Sequence, residues 1–79
     1  MDNKTHYIQS VLIDKNKYDL IDAILYILKN NYKANKIDES NNYYIFRQVE
    51  PLILDNKGFN KYKTIKGIEE GTKFIIAYK

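Results

Sequence analysis

One stretch of this chain spaces its apolar residues as an α-helix does, and it constrains the fold more than any other. It runs from Tyr18 through Asp19, Leu20, Ile21, Asp22, Ala23, Ile24, Leu25, Tyr26, Ile27, Leu28 and Lys29 to Asn31. On a helical wheel Ile27, Leu20, Ile24, Leu28, Ile21, Tyr32 and Leu25 follow one another within an arc of about 160°. Asp19, Asp22, Tyr26, Lys29 and Asn30 lie outside it. So wide a stripe suits a helix lying on a sheet rather than a narrow coiled-coil seam. Asp19 is the expected N-cap, its carboxylate accepting from the free N–H groups of the first turn. Asp22 adds negative charge near the positive helix end. Tyr18 and Ala23 occupy the staple positions around the cap. Asn30 and Asn31 are the expected stop, because Asn tolerates the left-handed conformation. The whole stripe is expected to be core, and Tyr26, on the polar side, is the expected exposed contact residue. The polar side carries two acids and one lysine, unlike the basic face of membrane-surface helices.

The remaining segments read as strands and turns. Tyr7 to Ile13 is rich in strand formers, and Val11-Leu12-Ile13 is apolar on both faces, as a central strand requires. Asp14 to Lys17 is a turn. Residues 33–42 are polar, with Ile37 their one large aliphatic, and residues 38–42 read as a loop. Tyr43 to Val49 alternates between Tyr43/Ile45/Arg47/Val49 and Tyr44/Phe46/Gln48, and the covered face is expected to carry Tyr44 and Phe46. Pro51 has no N–H for a central ladder, so the strand should stop there. Leu52-Ile53-Leu54 is a short apolar run before a turn at residues 55–58. Lys61 to Lys66 and Lys73 to Tyr78 read as strands, with Gly67 and Gly71 in the turn between them. The expected fold is α+β, in the order β-α-β-β-β, with one helix on one face of a three- or four-stranded sheet. Residues 1–79 form a single domain with residues 1–5 loose, and the second sheet face has no expected cover.

With 79 residues, the chain has room for one small core. It has no cysteine, hence no disulfide and no thiolate metal site. No apolar run reaches the roughly 20 residues that span a bilayer, and the first six residues lack the layout of a secretion signal. An intracellular setting is therefore expected (host cytoplasm or nucleus, or a virion), with no membrane partner and no secretion. Lys, Asn, Ile and Tyr supply 41 of the 79 residues. All four have AT-rich codons, so the net charge of +3 permits an acidic partner without demanding one.

The segments from Lys17 to Leu20, from Lys36 to Glu39 and from Asn42 to Gln48, with a closing basic and aliphatic strand, carry a resemblance. The pattern is similar to a family of short uncharacterised domains encoded by large DNA viruses and some bacteriophages. Asn42-Tyr43-Tyr44-Ile45-Phe46-Arg47-Gln48 is its most specific part. Asp19 stands where that family has a hydroxyl cap, and Ile45 where it has a basic residue. The resemblance implies a viral or phage origin and an accessory or virion-associated role.

One segment points to chemistry. Residues 56–66 hold four lysines, Lys57, Lys61, Lys63 and Lys66, with Phe59 and Tyr62 and no acid. Lysines neutralise phosphates and release counterions, and exposed aromatics stack on unpaired bases. The same lysines would also guard an edge strand against aggregation. Arg47 is the one arginine, either a bidentate phosphate or carboxylate clamp or the structural partner of Glu50 or Asp38. Non-specific binding of DNA or RNA through Arg47, Lys57, Lys61, Tyr62, Lys63 and Lys66 is the leading expectation. The other is a protein-interaction module, a homo-oligomer or a binder of another viral protein, using the uncovered sheet face or an edge. Enzyme chemistry is not expected: there is one histidine, His6, no acid pair with dyad spacing and no Gly-rich phosphate loop. No cofactor or metal is expected.

Overall fold

A computed structural model describes residues 5–79. Apart from Thr5, the expected loose start lies outside the described residues. The chain is an α+β fold of five strands and two helices: β1 (His6–Asp14), α1 (Leu20–Lys29), β2 (Ile37–Glu39), β3 (Tyr43–Arg47), α2 (Pro51–Asn56), β4 (Lys61–Lys66) and β5 (Thr72–Tyr78). They form one sheet in the order β2-β3-β1-β5-β4, and every ladder is antiparallel. The sheet therefore exceeds the expected three or four strands, and a second helix joins the expected one.

β1 is central because its alternate residues are apolar on both faces. Val11 lies between Phe46 of β3 and Phe74 of β5, and Leu12 between Ile45 and Lys73. An irregularity between Ile8 and Ser10 makes Gln9 an extra residue. Its carbonyl accepts from the N–H groups of Gln48, at 2.8 Å, and Val49. Such a bulge resets the alternation, so Ile8 and Val11 both join the helix-side core although three positions apart.

Asp19 caps α1 as expected, its Oδ1 accepting from the Asp22 N–H at 2.8 Å. Asn30 closes the helix and Asn31 takes the left-handed conformation, φ 64°. The buried core under α1 is Val11, Ile13, Ala23, Ile27 and Phe46, with Tyr44 packed against it. Tyr44 and Phe46 thus lie on the covered face of β3. Burying a side chain such as Ile27 or Phe46 stabilises the fold by about 1.5–3 kcal/mol.

The rotation of α1 departs from expectation. Its inward direction runs through Ala23 and Ile27, at one flank of the apolar arc and not at its centre. Tyr26 is drawn in, edge-on to Tyr18 at 5.9 Å between ring centroids. It belongs to the core margin and not to the exposed surface. On the other flank Ile21, Leu25 and Leu28 are exposed by 65, 58 and 55%.

The Leu52–Leu54 run is helical. Pro51 occupies the first turn of α2, where a missing N–H costs nothing. Leu54 and Phe59 are buried against Ala77, with Tyr7 and Val49 alongside. The Tyr7 and Phe59 rings meet edge to face at 4.8 Å. Tyr7 pairs with Ala77 on the face opposite α1, so one end of the supposedly bare sheet face is covered. At the other end Leu12, Ile45 and Ile75 are half-buried.

Candidate nucleic-acid interface

β4 is an edge strand, joined only to β5, and all six of its residues are exposed. Its register follows from the turn at Gly67 and Gly71. Gly71 has φ +85°, a conformation that glycine adopts without steric cost. The pairing Lys61↔Tyr78, Lys63↔Ile76 and Ile65↔Phe74 puts Lys61 and Lys63 on the α1 side. Tyr62↔Ala77 and Lys66↔Lys73 put Tyr62, Lys66 and Lys73 on the α2 side. Lys57, the cap of α2, reaches the α2 side too, its Nζ 5.7 Å from the centroid of the Tyr7 ring. The rim is thus basic on both sides rather than on one face.

Aromatic rings underlie several of these ammonium groups. Lys63 Nζ stands 5.2 Å from the centroid of Tyr78, Lys73 Nζ 5.1 Å from Tyr43, and Lys79 Nζ 4.9 Å from Phe59. Each such contact contributes about 0.5–1 kcal/mol at an exposed site. On the α1 side a shallow groove bordered by His6, Lys63, Ile65, Ile76 and Tyr78 runs beside the strand. Tyr62, 42% exposed, offers a free ring on the other side.

The ion pairs lie elsewhere. Among the described residues Lys15 pairs with Glu39 at 2.8 Å, Lys17 with Glu70 at 2.9 Å, and Lys36 with Glu50. Arg47 reaches Asp38 at 3.3 Å and Glu50 at 3.6 Å. Lys57, Lys61, Lys63, Lys66, Lys73 and Lys79 take part in none of them. The hydrogen bond from Lys36, with its charge, holds the Glu50 carboxyl below the usual glutamate range. That from Lys17 does the same for Glu70, and Glu70 in turn raises the Lys17 ammonium.

Of the six residues singled out from sequence, the fold brings together Lys57, Lys61, Tyr62, Lys63 and Lys66 around the β4 rim. Arg47 stands apart, on β3, with β1 and β5 between it and β4, and two carboxylates already engage it. Its neighbour Gln48 is structural. The Gln48 side chain accepts from the Lys33 N–H at 2.8 Å and donates to the Lys33 carbonyl at 2.9 Å, tying the segment after α1 to the end of β3. Comparison with family models, with curated proteins and with solved structures gives no match. The site's meaning therefore rests on its own geometry.

Sequence reasoning missed Lys73 and Lys79. Lys73 becomes part of the rim only through pairing with Lys66, and counting outward from the Gly67–Gly71 turn is the signal that finds it. Among the described residues no group of three or more His, Cys, Asp or Glu could hold a metal ion. No helix among them is long and apolar enough to cross a membrane.

Proposed function

We propose that this domain binds nucleic acid non-specifically, the phosphate backbone lying along the β4 rim between lysines from both sides of the sheet. One observation carries the reading: among the described residues, six lysines gather at β4, β5 and their flanks without a carboxylate partner, while every cation in an ion pair lies outside that group. Unpaired ammonium groups keep the charge that counterion release needs. Tyr62, and Tyr78 beneath Lys63, supply ring faces for unpaired bases, which favours single strands. Arg47 belongs to the frame in this reading and not to the contact. An accessory or virion-associated role in a virus or phage, which the resemblance implies, is part of the same proposal.

The test is a titration of a labelled mixed-sequence oligonucleotide, single-stranded and duplex, at several salt concentrations. Three or four phosphate contacts give a log–log slope of about −2 to −3 on single strands. Lys61→Glu with Lys63→Glu should weaken binding at least tenfold and flatten the slope by about 1.5. Unchanged affinity in that double variant, or a slope near zero in the wild type, refutes the proposal. Self-association through the sheet face or this edge has weaker support: α2 covers part of that face, and lysines line the edge.

A further inference from the structure

The α1 flank turned away from the core is unlike the rest of the helix surface. Ile21, Leu25 and Leu28 are more than half exposed, and Leu20 is exposed by 38%. Half-buried Ile24 lies among them. Together they form a contiguous apolar strip on one ten-residue helix, of the kind that marks an interaction surface when it reaches a few hundred Å².

We propose that this strip is the contact between two copies of the chain, with the α1 helices antiparallel across a two-fold axis. Two features of the helix single out a second copy as the occupant. First, the strip is symmetric end to end. Apart from Leu20 at its edge, its residues fall at positions 21, 24, 25 and 28, so their intervals read the same in both directions. A two-fold axis between Ile24 and Leu25 sets Ile21 of each copy against Leu28 of the other, while the two Ile24 side chains meet along one margin and the two Leu25 side chains along the other. An isologous interface requires such self-complementarity. Second, the flanking charges complement themselves. Asp22 and Lys29 are about 20° apart on the wheel, on the same margin of the strip and at opposite ends of it. In an antiparallel pair like margins meet, so Asp22 of each copy faces Lys29 of the other. Their axial offset is two residues, about 3 Å, within the reach of a lysine stem. A parallel two-fold pair would bring opposite margins together, so Asp22 and Lys29 would lie against the Leu20 margin of the partner and leave both charges unmatched. The opposed helix dipoles also favour the antiparallel arrangement.

The strip is smaller than the roughly 800 Å² per partner of a stable complex, so the dimer is of modest affinity. Sedimentation equilibrium over micromolar to millimolar concentrations tests it. The wild type should dimerise, and Leu25→Lys should raise the dimer Kd at least a hundredfold while leaving the far-UV CD spectrum intact. Leu25 is exposed, so this variant spares the core. Asp22→Lys and Lys29→Asp should each weaken the dimer roughly five- to tenfold, and the two changes combined should restore it. A wild type that stays monomeric at millimolar concentration overturns the proposal. So does a dimer that survives Leu25→Lys, or a double swap that fails to recover. Monomeric protein that instead sediments with anionic vesicles through Leu25 would assign the strip to a lipid surface and also overturn it. None of these outcomes bears on the lysine rim, whose test is the salt slope.

Discussion

Asp19 and Gln48 show how single side chains set the frame. Asp19 satisfies one N–H at the start of α1, so Asp19→Ala should cost about 1 kcal/mol in chemical denaturation. Gln48 exchanges two hydrogen bonds with the Lys33 backbone. A sequence reading places Gln48 on a strand face but does not reveal that bond, because its partner is a main-chain group 15 residues away. Arg47 was legible in part: both carboxylates named for it, Asp38 and Glu50, are its partners. The lowered glutamates give a pH dependence with a definite sign. Glu50 and Glu70 titrate lower in the folded chain than in the unfolded one. The stability they contribute is present above the ordinary glutamate range and is lost as pH falls through their folded values. Lys17 and Tyr26 are both raised, Lys17 by Glu70 and Tyr26 by burial. Their contribution holds below their ordinary values and is lost as pH rises beyond them. Thermal melts across the pH range should show both losses, and Glu50→Gln with Glu70→Gln should reduce the acid-side one.

The elements divide into those that local chemistry specifies and those that packing decides. The limits of α1, β1, β4 and β5 were readable because caps, alternation and glycines mark them. The rotation of α1 was not. Its apolar arc is wider than the sheet below can cover, and periodicity cannot say which part turns inward. The helical state of Leu52–Leu54 was equally hidden, since a three-residue apolar run has no period of its own. What decides it is Leu54 docking with Phe59 onto Ala77. Leu54→Ala should therefore cost about 2–5 kcal/mol, whereas Leu52→Ala, on the exposed side of the same helix, should stay within about 0.5 kcal/mol. The hairpin offers a second contrast. A Cβ added at Gly67 would collide with Thr72 Oγ1, whereas Gly58 has room for one and is held to glycine by its φ of +85° instead. Gly67→Ala must displace Thr72, a buried residue bonded to the Glu69 carbonyl. Urea denaturation should show a loss of about 1–3 kcal/mol.

At the scale of the molecule, charge is sorted rather than spread. Among the described residues the carboxylates of the ion pairs draw in Lys15, Lys17, Lys36 and Arg47, and the six lysines of the β4 rim stand outside those pairs. Composition gives the net charge of the chain but not its location, because location depends on a strand order that places β4 at the edge with two strands between it and β3. The residues of the rim were nonetheless mostly legible, since four of its lysines lie within one stretch of sequence. Raising salt should leave the melting temperature of the free chain nearly unchanged, since exposed pairs contribute little, while sharply weakening any polyanion complex. Differential scanning fluorimetry with and without heparin would separate the two effects.

The rings beneath the lysines have one more consequence. The chain has no tryptophan, so its eight tyrosines are its intrinsic fluorophores. Tyr78 and Tyr43 sit under the ammonium groups of Lys63 and Lys73. A polyanion that draws those cations away alters the electrostatic surroundings of two phenol chromophores at once. The domain thus carries its own optical gauge of occupancy, readable in the ultraviolet without a label.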